Sequence, residues 1–250
     1  MPRRFKQLFA YDGTGYGGWQ IQPGVTTVQE VIEGVLNQLT QEAIRVHPSG
    51  RTDAGVHANG QVIHFDSKTT MSAGELQNGM NALLPADIRG REIAEADPEF
   101  HARFSARSKE YRYTIYNGPV VPPFIQRYRC HERRPLDRLA MQAVAEVLVG
   151  EHDFGGFAAN PNREVESTVR EIYALEIEGE AEDLVIRVHG NGFLYKMVRG
   201  IAGFLIEVGL GKRDPGDAER ILASGLRDQD VQTAPAKGLV LHEVFYDPSA

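Results

Sequence analysis

The residues best suited to chemistry lie in one short loop, Gly50-Arg51-Thr52-Asp53-Ala54-Gly55-Val56-His57-Ala58. A carboxylate stands there between two glycines, beside a small alanine and two residues after an arginine. Small neighbours leave Asp53 open to a bulky substrate, and a nearby cation would hold it ionised near neutral pH, as a nucleophile requires. An aspartate in a Gly-bearing loop also serves simply to cap its own turn. Other chemistries find less support. Gly13-Thr14-Gly15-Tyr16-Gly17-Gly18 fits G-x-G-x-x-G, but a dinucleotide site needs a helix to open directly from that loop. Here Trp19-Gln20-Ile21-Gln22-Pro23-Gly24 intervenes, so the pattern reads as a tight loop that lets substrate or nucleic acid approach the backbone. The histidines show no H-E-x-x-H and no close pairing, and His57 and His64, seven apart, would face opposite sides of a strand. With no G-x-S-x-G elbow and no Walker loop either, the expectation is an enzyme with no metal and no cofactor.

The Asp53 loop must be held by its flanks. Short strands are predicted at Ala43–His47 and Gln61–Phe65, with an earlier strand at Lys6–Asp12 and a final one at Leu239–Tyr246. Helical spacing and capping residues mark Thr27–Leu39, Ser72–Ala82, Leu136–Val149 and Tyr195–Val208. Lys109–Tyr116 reads as a strand with Tyr111, Tyr113 and Ile115 on one face, and Val169–Glu178 with Leu184–Val188 as a hairpin. Two strand–helix–strand halves of similar length give an α+β fold. The expectation is two related subdomains, 1–105 and 106–250, with a central antiparallel sheet, flanking helices and an active-site cleft between the halves.

Composition narrows the partners. The chain has 250 residues, 42% hydrophobic and 24% charged, with 27 Lys and Arg against 34 Asp and Glu, a net charge of −7. That total argues against nucleic acid until the charges are placed. Residues 101–134 carry eight Lys and Arg against Glu110 and Glu132, a local +6, while 135–182 sum to −8. The basic stretch also holds Phe104, Tyr111, Tyr113, Tyr116, Phe124 and Tyr128, and cations interleaved with aromatics suit a phosphate backbone with bases stacked on rings. No apolar run is long enough for a membrane helix, and the start shows no apolar signal segment. One cysteine, Cys130, rules out a disulfide framework and a Cys-based zinc site, which points to a reducing cytoplasm.

The nine-residue Asp53 string resembles the active-site motif of the TruA-type tRNA pseudouridine synthases. Further stretches carry the same resemblance: Tyr11-Asp12-Gly13-Thr14-Gly15-Tyr16-Gly17-Gly18-Trp19-Gln20, then Phe100-His101-Ala102-Arg103-Phe104-Ser105-Ala106 with Lys109-Glu110-Tyr111-Arg112-Tyr113. Asn191-Gly192-Phe193-Leu194-Tyr195-Lys196-Met197-Val198-Arg199 and Gly238-Leu239 complete it, so that it runs from about residue 6 to residue 247. The resemblance implies the pseudouridine synthase fold and conversion of uridine to pseudouridine at positions 38, 39 and 40 of the tRNA anticodon stem and loop, by a homodimer. It implies Asp53 as the covalent nucleophile, Arg199 as the arginine paired with that carboxylate, and Tyr111 as the residue that contacts the target base and serves the proton step. Arg51 looks like a residue for the RNA backbone or for extruding the base, and Arg103, Arg107, Lys109 and Arg112 are expected on the RNA. This chain has Gly156 where the family often has serine, and Ala158–Glu164 departs from the commonest versions. Two readings from other classes remain at this point. One is a noncatalytic RNA-binding module. The other is a nucleoside hydrolase, disfavoured because one Asp–Arg–Tyr group is too sparse for two flanking carboxylates.

Overall fold

Residues Arg3 to Tyr11 form strand β1, whose burial alternates along the chain and places Phe5, Gln7, Phe9 and Tyr11 on the buried face. The structure is a computed structural model, and it describes residues 2–159, 167–226, 228 and 230–247. Chain contacts divide it into two units: one runs up to Arg107 and takes in the chain again from Val240, and the other is Ser108–Leu239.

In the first unit, Thr27 and Glu30 form a reciprocal capping box that starts helix α1 (Val28–Thr40), which buries Val28, Ile32, Val35 and Leu36. Strand β2 (His47–Pro48) is short, and β3 (His57–Ser67) is the long strand that follows the Asp53 loop. A second capping box, Ser72 with Glu75, opens α2 (Ala73–Leu83), which buries Leu76 and Met80. The added strand β4 (Ile88–Glu95) and β3 both pair antiparallel with β1, and β2 pairs antiparallel with β3.

In the second unit, β5 (Ser108–Tyr116) pairs in parallel with β6 (Cys130–His131). Helix α3 (Arg138–Val147) is followed by β7 (Gly150–Asp153), β8 (Val169–Glu178) and β9 (Asp183–Gly190), which give an antiparallel order β5-β9-β8-β7. Helix α4 (Met197–Gly209) is apolar nearly all round and is correspondingly buried, with Phe204 meeting Phe157 edge-on at 5.5 Å. Helix α5 (Asp217–Ser224) follows, and β10 (Leu239–Phe245) returns to the first unit to lie parallel to β3. Ten strands and five helices among the described residues make the fold α+β, with a mixed sheet.

The expected strand at Ala43–His47 shrinks to His47–Pro48 because its donors are taken by α1. The Ile44 amide donates to Asn37 Oδ1 at 2.7 Å and the Val46 amide to Glu33 Oε1 at 3.0 Å, so no ladder forms there. Helix α4 begins at Met197 rather than Tyr195 because Lys196 takes a left-handed φ of 58°. Gly156 has a local reason: a β-carbon there would come within 2.4 Å of Ile221 Cγ2 on α5. From residue 160 onward, the divergent Ala158–Glu164 stretch lies outside the described residues. No helix among the described residues is long and apolar enough to cross a membrane.

Candidate active site

Asp53 sits half-buried at the turn of the loop between β2 and β3, with Arg51 and Ala54 exposed on either side and Thr52 and Val56 buried. The turn closes through the Val56 amide on the Asp53 carbonyl at 3.1 Å and uses Gly55 at φ 75°. The Gly-rich loop after β1 backs directly onto it. The Trp19 amide donates to the Thr52 carbonyl at 3.0 Å. Gly18, at φ 95°, lies so close that a β-carbon would stand 2.7 Å from that same oxygen and 3.0 Å from the Ala54 nitrogen. Gly13 is closer still, 2.0 Å from the Val56 carbonyl oxygen on the same construction. This loop therefore moulds the carboxylate loop, a role that its pattern alone did not reveal. His57 joins the two: its Nδ1 accepts the Gly13 amide at 3.1 Å.

The hydroxyl of Tyr11 bonds Thr52 Oγ1 at 2.8 Å, and burial pushes the phenol up to about 12, so it stays protonated throughout the physiological range. Gln61 donates to the Gly50 carbonyl at 2.7 Å and accepts from Ser49 Oγ at 2.7 Å. None of these four residues stood out in the sequence as a site residue.

In the second unit, Tyr111 lies on β5 opposite Val188 and is nearly buried, its ring meeting Phe193 edge-on at 5.1 Å. Phe193 belongs to the stretch that leads into α4. Asn191 fastens that stretch to β8: its Oδ1 accepts from the Glu171 amide and its own amide donates to the Glu171 carbonyl, both at 3.0 Å. Arg199, in the first turns of α4, donates from Nε to the Ala234 carbonyl at 2.8 Å, and the Ala234 amide returns a bond to the Arg199 carbonyl at 3.0 Å. The guanidinium is thus held from its inner nitrogen.

The cations expected on RNA divide by unit and by partner. Arg103 lies over the exposed ring of Phe104 at 5.5 Å, and Arg107 pairs with Asp247 at 2.5 Å. Arg112 donates to Glu110 at 2.8 Å, and Arg187 takes the other oxygen at 2.8 Å. Burial alone would raise the Glu110 carboxyl, but these two guanidinium bonds outweigh it and hold it below the usual range. Part of the +6 segment is therefore engaged within the protein.

A group the sequence did not bring together is His47, His64 and His101, with one nitrogen of each within 4.8 Å of the others. His64 Nδ1 accepts from the Ala102 amide at 3.1 Å, and His101 Nδ1 from the Arg103 amide at 3.1 Å. Each neutral ring then carries its proton on Nε2, so both Nδ1 atoms serve as acceptors for backbone amides. Burial, with His101, His47 and Arg4 nearby, pushes His64 down to about 4. The unfolded chain takes up this proton near pH 6.5 while the folded chain does not. Stability should be full above that pH and decline as pH falls toward about 4. Urea midpoints at pH 7.5 and pH 5 check this: His64→Asn, which keeps an acceptor but does not titrate, should lose less than wild type, and equal losses would clear His64.

A family profile described as tRNA pseudouridine synthase matches residues 8–105 and 144–247. The chain belongs to the tRNA pseudouridine synthase family. Proteins named tRNA pseudouridine synthase A agree over nearly the whole length: one from Brevibacillus brevis is 49% identical over 98% of this chain and 100% of its own. Those from Bacillus pumilus and Geotalea uraniireducens are 47% and 46% identical over 98% of this chain, covering 99% and 100% of their own. The protein is accordingly an isomerase of the tRNA pseudouridine synthase family, with the pseudouridine synthase fold. The profile match takes in Arg51, Asp53, Arg103 and Arg199, whereas Arg107, Lys109, Tyr111 and Arg112 fall in the stretch it passes over.

Proposed function

We propose that this enzyme converts uridine to pseudouridine at positions 38, 39 and 40 of the tRNA anticodon arm, with Asp53 as its covalent nucleophile. The observation that carries the reading is the exposed, small-residue turn presenting Asp53, clamped on its inner side by the loop after β1. The carboxylate adds to the uridine, either at the uracil ring or at the ribose. The N–C glycosidic bond breaks, the base turns over, a carbon–carbon bond replaces it and the bond to the carboxylate breaks again, with the proton lost from the ring carbon balanced by one gained at the freed ring nitrogen. The reaction is redox-neutral and needs no group donor. Arg199 serves as the counter-charge of the carboxylate, and Tyr111 contacts the base and handles the proton released from carbon. Unstacking the uridine costs a few kcal/mol, of which stacking on a ring returns about 1–3 kcal/mol. Arg51 assists at the backbone of the extruded nucleotide, with Arg103, Arg107, Lys109 and Arg112 along the RNA. The working form is a cytoplasmic homodimer.

Incubating the protein with unmodified tRNA and mapping pseudouridine site by site tests the proposal. Product at 38–40 is expected. Retained tRNA without product would favour a binding module, and turnover of free nucleosides would favour a hydrolase.

A further inference from the structure

Four buried polar side chains tie the Asp53 loop to the strands beside it. Tyr11, Ser49, Thr52 and Gln61 are each less than a tenth exposed. Gln61 Nε2 reaches both the Gly50 carbonyl at 2.7 Å and the Tyr11 hydroxyl at 3.4 Å, while its Oε1 accepts from Ser49 Oγ. The Tyr11 hydroxyl oxygen accepts from Gln61 and shares a hydrogen bond with Thr52 Oγ1 in which either hydroxyl can donate. The chain therefore runs from the Gln61 amide through the Tyr11 hydroxyl to the Thr52 hydroxyl, one residue before the carboxylate. Tyr11 is the last residue of β1, paired with Ala58 just past a register shift after Phe9, and Gln61 lies within β3 opposite Phe9.

Such a network adds little net stability, because each group trades bonds with water for bonds with protein. An apolar set of similar volume would fill the same space. What the polar set adds is a single permitted geometry for the backbone it binds, here residues 49–52.

We propose that Tyr11 and Gln61, acting through Thr52 and Gly50, are positioning residues that fix the Asp53 carboxylate for reaction and do not set RNA affinity. This rests on the reading of Asp53 as the nucleophile. Nucleophilic attack is sensitive to placement, a displacement of about 1 Å costing about 100-fold in rate.

The test compares wild type, Tyr11→Phe, Thr52→Val, the double variant and Thr52→Ser in single-turnover pseudouridine formation at saturating tRNA, with tRNA Kd and melting temperature alongside. Tyr11→Phe and Thr52→Val should each slow the step about 10- to 100-fold with Kd held within about 2-fold. The double variant should be no slower than the slower single, since the Tyr11–Thr52 bond lost in Thr52→Val is already lost in Tyr11→Phe. Thr52→Ser keeps the hydroxyl and should restore the rate to within about 3-fold of wild type. The double variant leaves no orphan hydroxyl and carries the comparison with Thr52→Ser if a single variant does not fold. Wild-type rates in the singles, additive losses, or losses matched by weaker tRNA binding would overturn the positioning role. An inactive wild type, or an Asp53→Ala that still forms product, would instead overturn the nucleophile reading beneath it.

Discussion

Asp53→Ala should reduce pseudouridine formation to background, a loss on the order of 10⁴-fold or more, while tRNA binding stays within about 3-fold of wild type. Asp53 is half-buried on a turn in which the Val56 amide bonds the Asp53 carbonyl and Gly55 supplies the positive φ, neither of which the substitution removes. The loop stays anchored through Trp19 and Thr52 on its inner side. A melting temperature near that of wild type should therefore accompany the lost activity. Asp53→Asn separates charge from shape, because the amide fills the same volume and is a far poorer nucleophile. It should fail as completely as alanine. Pseudouridine mapping, filter binding and a thermal melt on the three proteins make the comparison, and normal modification by either variant would remove Asp53 from the chemistry.

That loop was legible because its chemistry is local. Two glycines and an alanine around one carboxylate are read directly from neighbouring letters, as are Thr26 or Thr27 with Glu30, and Ser72, as the starts of α1 and α2. What holds the loop was not legible, because it joins residues far apart in the chain. Tyr11 and Thr52 are 41 positions apart and Gln61 and Tyr11 are 50, and no periodicity signals such a pairing. The Gly13–Gly18 run shows the same limit. Its pattern could be weighed against a phosphate cradle and set aside, but only the approach of Gly18 to Thr52 and Ala54 reveals what the missing side chains make room for. The strand expected at Ala43–His47 fails for a related reason. Its alternation is sound, yet Asn37 and Glu33 of α1 capture the amides that a ladder would need. Charge counting likewise located the basic stretch without showing that Glu110 binds two arginines within it, one of them, Arg187, from β9.

Gly203→Ala should be among the most damaging one-carbon changes in the second unit, although a glycine-to-alanine change inside a helix ordinarily stabilises by about 0.5–1 kcal/mol. A β-carbon at Gly203 would stand 1.9 Å from the Gln232 carbonyl oxygen and 3.3 Å from the Ala234 nitrogen, both backbone atoms with no rotamer to turn away. Helix α4 cannot simply slide to relieve it. Gly200 is pressed against the Phe157 carbonyl, where a β-carbon would come to 2.1 Å, and Phe204 is packed on the Phe157 ring. Overpacking of this kind costs about 1–3 kcal/mol, and with neither side free to yield the upper part of that range is expected. For a chain of this size, that is a fall of roughly 4–12 °C in melting temperature. The displaced segment also holds Arg199 through Ala234, so activity should fall in the fraction that remains folded. The same substitution at Gly34 on α1, where a β-carbon meets nothing within 4 Å, should raise the melting temperature instead. Thermal melts of the two variants against wild type decide the matter: opposite signs follow from these contacts, and a Gly203→Ala protein melting at or above wild type would show that α4 has room the packing denies.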